Sequence, residues 1–245
     1  MRLMLYNIRY GAGTSGFFHV PFPFSGYLRK TEENLARITA FIKTIKPDIL
    51  GLIEVDSGSY RSGRRNQAEL IADALGHYHV YKSKYRPAAL IRHLPLLGKQ
   101  GNAFVTSDLI KHQHFHYFRH GVKRLVIELE LDHLVIFLVH LSIRFTHRHH
   151  QLEDLFGLVR KAKKPVIVAG DFNPLLGARE LHQFLAASKL VNANTHGWPS
   201  YPSRKPGRQL DFILHSPEIH VREFSIPHVA FSDHMPLVCD FDITT

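Results

Sequence analysis

The sequence is short of cysteine, of acid and of long apolar runs, and each shortage excludes something. Its single cysteine, Cys239, rules out an intrachain disulfide and any thiolate cage for a metal. A lone free thiol favours the reducing cytoplasm as the compartment. The longest apolar run, Leu134 to Val139, is far too short to span a bilayer. Nothing resembles a secretory leader, because polar Asn7 and Arg9 follow directly on Met1 to Tyr6. There is no internal repeat, low-complexity tract or linker-like segment, so residues 1–245 read as one domain, expected to be a monomer. With 21 acidic against 31 basic residues the net charge is +10, which favours an anionic partner: nucleic acid, a phospholipid headgroup or another phosphate ester.

What is present is an alternation of short buried strands and amphipathic helices. Strands are expected at Met1–Tyr6, Asp48–Ile53, His79–Tyr81, Asn102–Val105, His112–Phe118, Val122–Leu131, His133–Val139, a run ending at Gly170, Gln209–Leu214, Val221–Ser225 and Leu237–Ile243. Helices are expected from Thr31 to Pro47, from Asn66 to Leu75 with Gly76 as the stop, from Thr146 to Lys163 and from Ala178 to Ser188. Thr31 is placed to cap the first, with Glu32 and Glu33 complementing its dipole. Residues 14–28 hold Phe17, Phe18, Phe22, Phe24 and Tyr27 among glycines and prolines, a loop pinned by its rings or a contact surface for substrate or membrane.

The pattern that carries chemistry lies at the strand ends. The run Val166-Ile-Val-Ala-Gly170 stops in Asp171 and Asn173, with Pro174 forcing the chain out. Residues just beyond strand carboxyl ends line the ligand crevice of α/β sheets. Asn7, Glu54 and His140 terminate other apolar runs in the same way, and Asp233-His234 precede the last strand. Each has a bland alternative: Asn7 a turn, Glu54 a surface acid, His140 one of 19 histidines. The cluster His147-Arg148-His149-His150 reads as a solvated helix start rather than a metal site. Asp211, inside Leu210-Asp-Phe-Ile-Leu214, would be buried and needs a partner, and His234 is an economical one. Such an acid fixes the imidazole tautomer and stabilises its cation. Acids, amides, imidazoles and an acid–histidine pair together form a set suited to metal-assisted phosphoester hydrolysis. A hard ion such as Mg²⁺ wants oxygen ligands, which Glu54 and Asp171 or Asp233 offer.

These motifs, Tyr6-Asn7-Ile8-Arg9, Leu52-Ile53-Glu54, Val139-His140-Leu141-Ser142, Gly170-Asp171-Phe172-Asn173, Leu210-Asp211-Phe212-Ile213-Leu214 and Ser232-Asp233-His234-Met235-Pro236, resemble in order and spacing those of the endonuclease/exonuclease/phosphatase superfamily. The resemblance spans almost the whole chain. It implies an α/β (α+β) four-layer sandwich, with two mixed β-sheets face to face and helices outside. It further implies a divalent-metal-dependent phosphodiester hydrolase using Mg²⁺, with Mn²⁺ as a substitute. By that likeness Glu54 is the principal metal ligand, with Asn7 beside it and Asp233 nearby. Asp171 and Asn173 bind or orient the attacking water and the phosphate, with Asp171 as one candidate for the base. His234, oriented by Asp211, is the general base or the stabiliser of phosphate charge, and His140 contacts phosphate.

The substrate stays open at this level. Nucleic acid is favoured by the charge, with a sphingomyelinase-like phospholipid phosphodiesterase, an inositol-phosphate phosphatase and a non-catalytic binding module as the alternatives. Arg124, Arg144, Arg204, Lys205 and Arg208 are candidate phosphate contacts.

Overall fold

The computed structural model describes residues 1–14, 30–85 and 97–244. The aromatic segment from Phe17 to Tyr27 lies outside the described residues. The elements run β1 (Arg2–Asn7), α1 (Glu32–Ile45), β2 (Ile49–Asp56), α2 (Gln67–Leu75), β3 (Tyr78–Ser83), β4 (Gln100–Thr106), β5 (His112–Tyr117), β6 (Leu125–Glu130), β7 (Val135–His140), α3 (Phe145–Val159), β8 (Val166–Asp171), α4 (His182–Ser188), β9 (Val191–Asn192), β10 (Asp211–His215), β11 (Ile219–Ser225) and β12 (Leu237–Ile243).

Two six-stranded sheets result, in the orders β11-β12-β1-β2-β4-β3 and β5-β6-β7-β8-β10-β9. Each has one parallel pair at its centre, β1 with β2 and β7 with β8, and antiparallel pairing elsewhere. A parallel pair needs a crossover, and α1 and α3 supply them. The inner faces meet in one core: Leu3, Leu5, Ile49 and Phe104 of the first sheet pack with Ile127, Leu138, Ile167 and Ile213 of the second. Outside, α1 and α2 cover the first sheet through Leu35, Ile38, Ile42 and Ile71. Helices α3 and α4 cover the second through Leu152, Leu155 and Phe184. Four layers follow, because β7 and β8 are buried on both faces and carry continuous apolar runs. Each fully buried leucine or isoleucine contributes about 1.5–3 kcal/mol relative to exposure.

Local chemistry explains the element ends, with some departures from expectation. Asn66 caps α2, its side chain accepting from the Ala68 N–H at 3.1 Å, and Gly76 stops that helix at φ +70°. Thr31 precedes α1 but does not cap it; its hydroxyl donates to the Arg61 carbonyl at 3.1 Å, tying the helix start to the loop after β2. Residues 122–124 stay outside β6, which begins at Leu125. The helix expected from Ala178 begins as a 3-10 turn, Ala178–Leu181, before α4 proper. Strand β2 does not stop at Glu54. It continues to Asp56 through a bulge in which Glu54 takes φ +57°.

Candidate active site

The carboxyl ends of the two parallel pairs open on the same cleft. Asn7 ends β1, Glu54 sits in the bulge of β2, His140 ends β7 and Asp171 ends β8. His140 and Asp171 are register partners, and so are Asp171 and Asp211, the first residue of β10. The close approach of β7 and β8 relies on Gly170: a Cβ there would fall 2.2 Å from the Val139 carbonyl oxygen.

Asp171 is the hub. Its Oδ2 lies 3.3 Å from the Asn7 amide nitrogen, 3.3 Å from His140 Nε2 and 3.9 Å from His234 Nε2. Its Oδ1 accepts the Asn173 N–H at 3.1 Å. Burial alone would raise its pKa, but the hydrogen bond from His140 and the charges of His140, His234 and Lys123 outweigh this and hold the carboxyl far below the usual range. Asp211, directly across the ladder, goes the other way. Burial raises it and the Asp171 charge adds to that, against His234 and the Ser200 hydroxyl, which donates to its Oδ2 at 2.6 Å. His234 Nδ1 meets the same oxygen at 2.8 Å. Although burial disfavours an imidazolium, the charge and hydrogen bond of Asp211, with the charges of Asp171 and Asp233, raise His234 to about 10. The acid–histidine pair expected from the sequence is therefore formed, and its free Nε2 faces Asp171. The Tyr201 ring packs on the imidazole at a centroid distance of 4.8 Å.

Glu54 lies on the opposite wall, its Oε1 4.0 Å from His140 Nδ1 and 3.9 Å from Lys123 Nζ. Burial pushes this carboxyl up, but Lys123, His140, Lys84 and His234 together hold it below its ordinary value. His140 is lowered, first by burial and then by Lys123, whose Nζ touches its Nε2. Asn173 does not share a strand face with Asp171, because β8 ends at Asp171. It takes φ +50° and gives its amide to the Leu141 carbonyl at 3.1 Å, locking the β7 and β8 termini together. Asp233 lies at the edge, 3.5 Å from Arg9 Nε and 3.2 Å from the Ser232 hydroxyl.

The arginines divide. Arg208 stands at the rim, its backbone bridged to Tyr201 and its charge felt by that phenol. Arg204 reaches the Thr14 hydroxyl at 3.2 Å. Arg144 is exposed in the residue before α3. Arg124 turns back onto the Gly121 carbonyl, and it is the preceding residue, Lys123, that enters the cleft. Alternation along an extended segment puts neighbours on opposite sides, so one position decides. Lys84 was also missed. It follows β3, lies 3.2 Å from the Tyr10 hydroxyl, and is lowered to about 8, by burial first and then by Lys123 and Arg61 against Glu54. The motif-poor stretch holding Ser200 and Tyr201 offered no signal at all. Of the suspected histidine cluster, His149 and His150 are exposed as expected, whereas Arg148 is buried against Glu180.

The donor set suits a hard divalent cation. Glu54 and Asp171 bring carboxylate oxygens, the Asn7 amide stands beside Asp171 with its Oδ1 accepting the Arg9 N–H at 3.1 Å, and Cys239 is buried in the inner core away from the cleft. Asp171, Asp211 and His234 each offer a ligand atom within 4.8 Å of the others, and Asp211 Oδ1 is a buried oxygen with no hydrogen-bond partner.

Two layered sheets with acids, amides and an acid–histidine pair at their shared strand ends define a phosphoester hydrolase of the sandwich type. The profile of the Endonuclease/Exonuclease/phosphatase family matches residues 4–234, and the chain belongs to that family. Its enzymes hydrolyse phosphoesters and depend on divalent metal. Among known structures, an endonuclease/exonuclease/phosphatase from Beutenbergia cavernae DSM 12333 superposes with TM-score 0.76 at 19% identity, over 99% of this chain and 71% of that one. The human Nocturnin catalytic domain with bound sulfate anion gives 0.71 at 24%, over 100% and 94%. The mannosyl-6-phosphatase Bt3783 of Bacteroides thetaiotaomicron VPI-5482 gives 0.69 at 15%, over 99% and 100%. These likenesses concern the fold. A comparison with curated protein sequences finds no match.

Proposed function

We propose that this protein is a Mg²⁺-dependent phosphodiesterase that uses water as nucleophile and takes nucleic acid as substrate. The observation that carries the reading is the line Asp211–His234–Asp171, facing Glu54 across the cleft. Glu54 and Asn7, with Asp171 or Asp233, would hold the cation, which when bound polarises the phosphoryl oxygens and neutralises charge on the leaving group. Asp211 takes His234 Nδ1–H, so that Nε2 is the atom exchanging a proton with substrate or water. Asp171 Oδ2 and His234 Nε2, 3.9 Å apart, allow one water to hydrogen-bond both at about 2.8 Å. His140 and Lys123 present positive or donor groups toward the phosphate. Asn173 fixes the strand ends. Arg208 and Arg144 are proposed as backbone-phosphate contacts, with Arg124 in support through the Gly121 turn.

The preference for nucleic acid is supported by the charge of +10. The mannosyl-6-phosphatase of like fold keeps a monoester reading in view, and a phospholipid headgroup is the further alternative. Residues 1–245 are inferred to act as one domain, supported by the core shared between the sheets, and as a monomer in the cytoplasm, the compartment that the single free thiol, Cys239, favours. No helix among the described residues is long and apolar enough to cross a membrane.

A hydrolysis panel with Mg²⁺ or Mn²⁺ tests this, comparing wild type with His234→Ala on plasmid, single-stranded DNA, RNA, sphingomyelin vesicles, inositol phosphates and a hexose phosphate. Strand cleavage that falls at least about a thousandfold in the variant is the expected result. Turnover confined to a lipid or a monoester would retire the nuclease reading. Absence of turnover on every substrate would retire the enzyme reading.

A further inference from the structure

Strand β5 is an edge strand, and its outer face is a row of imidazoles. His112, His114 and His116 alternate with Gln113, Phe115 and Tyr117. The pleat sends Phe115 and Tyr117 inward to pack on the core, leaving all three histidines on the outside. Successive rings lie 6.3 Å apart, centroid to centroid. Two carboxylates face them from β6: Glu130 opposite His112 and Glu128 opposite His114. Glu130 is engaged by Lys164 Nζ at 2.5 Å, whereas Glu128 Oε2 meets His116 Nε2 at 2.6 Å. The His116 and Glu128 side chains are 34% and 20% exposed, so this pair is partly withdrawn from solvent yet reachable.

We propose that His114, His116 and Glu128 form a surface site for a borderline transition-metal ion, Zn²⁺ or Ni²⁺, separate from the hydrolytic cleft. Two imidazoles and a carboxylate are the three-protein-ligand complement such ions take, with water completing the sphere. The ligand atoms do not yet converge, since among the described residues only Asp171, Asp211 and His234 bring three ligand atoms within 4.8 Å of one another, so this site forms by rotation of its side chains. Zn–N bonds of about 2.1 Å put each ring centroid about 3 Å from the ion, so a tetrahedral angle between two ligands separates their centroids by about 5 Å. His114 and His116, at 6.3 Å, reach that spacing by modest side-chain rotation on a fixed backbone. Glu128 lies directly across the ladder from His114 and already touches His116, so neither strand has to move. A soft-to-borderline site of this type would not compete for Mg²⁺, which selects oxygen ligands.

The test is zinc binding to the full-length, chelator-stripped protein. Calorimetry would be paired with long-range ¹H–¹⁵N spectra of the histidine side chains, for wild type, His114→Asn, Glu128→Gln, His149→Asn and Glu54→Gln. A bound equivalent should shift the ring nitrogens of His114 and His116, and its affinity should drop at least about tenfold in His114→Asn and in Glu128→Gln. It should persist in His149→Asn and in Glu54→Gln, which separates it from the exposed helix histidines and from the cleft. Zinc affinity indifferent to His114 and Glu128, or ring shifts confined to other histidines, would overturn the proposal.

Discussion

The two β-α-β units, β1-α1-β2 and β7-α3-β8, make an instructive pair. Both put a parallel pair at the centre of a six-stranded sheet; β7 and β8 are buried throughout, β1 and β2 except at Arg2 and Glu54, and the two units deliver their cleft residues in different ways. In the first, the acid that faces the cleft sits inside the strand, and Glu54 is turned there by a bulge and a left-handed backbone at φ +57°. In the second, the acid ends a regular strand, and the left-handed residue is Asn173, two positions on. Strained backbone marks both ends of the cleft, but in one unit it aims the acid and in the other it secures the loop behind it. The buried arginines differ in the same sense. Arg61 pairs with Asp56, two residues after Glu54 in β2, and lies over the Tyr10 ring at 4.1 Å, whereas Arg148 pairs with Glu180 and also donates to the carbonyls of Ser142 and Ile143 at 2.9 and 2.8 Å.

Substitutions can separate the units. The largest effects are expected on activity: Asp171→Asn and Asp211→Asn should each cost about a thousandfold or more in kcat/KM, the first by removing the hub carboxylate and the second by freeing His234 from its tautomer. Equal activity of Asp211→Asn and wild type would show that the dyad is structural. Next come the buried pairs. Asp56→Asn weakens a buried carboxylate that accepts from Arg61, from the Gly58 and Ser59 N–H groups and from the Ser59 and Ser62 hydroxyls, and should cost about 3–5 kcal/mol in urea unfolding, while Glu180→Gln should cost less, since Arg148 keeps two backbone acceptors. A reversed ranking would break the comparison.

The glycines of the two units give a finer test. Gly170→Ala places a methyl against the Val139 backbone oxygen and should destabilise by about 2–3 kcal/mol, with loss of activity as β7 and β8 separate. Gly51→Ala meets mainly the end of the Leu138 side chain at 3.0 Å and should cost about 1 kcal/mol. Stability measurements on both variants decide it.

The smallest effect lies at the foot of β1, where the Arg2 guanidinium bonds Asp240 at 2.6 Å and lowers that carboxyl. A carboxyl lowered in the folded state contributes stability above its unfolded pKa, near 3.9, and loses it as pH falls through the folded value. Arg2→Met should therefore cost about 1 kcal/mol at pH 7, since the pair is partly exposed, and less at pH 2, where the bond to the Ile45 carbonyl is the larger part of what is lost. Urea midpoints at both pH values measure it.

Much of this was legible in the residues. The apolar runs marked the central strands, Asn66 and Gly76 bounded α2, and the polar stops at Asn7, His140 and Asp171 named the strand ends that meet in the cleft. Asp211 could be paired with His234 from the sequence because a carboxylate inside an apolar run needs a partner. Lys123 and Lys84 could not be found that way. A lysine in a polar segment carries no periodic signal, and only the packing of β3, β6 and β7 around Glu54 selects it over its neighbours.

Sequence determined the local alphabet: which segments are buried, where they stop, and which side chains stand at the stops, because burial and chain termination are set by nearest neighbours. Tertiary structure alone decided how those stops are wired. It placed the chemically identical carboxyls of Asp171 and Asp211 side by side and pushed them in opposite directions, since a pKa answers to the charges and hydrogen bonds that distant strands bring within a few ångströms.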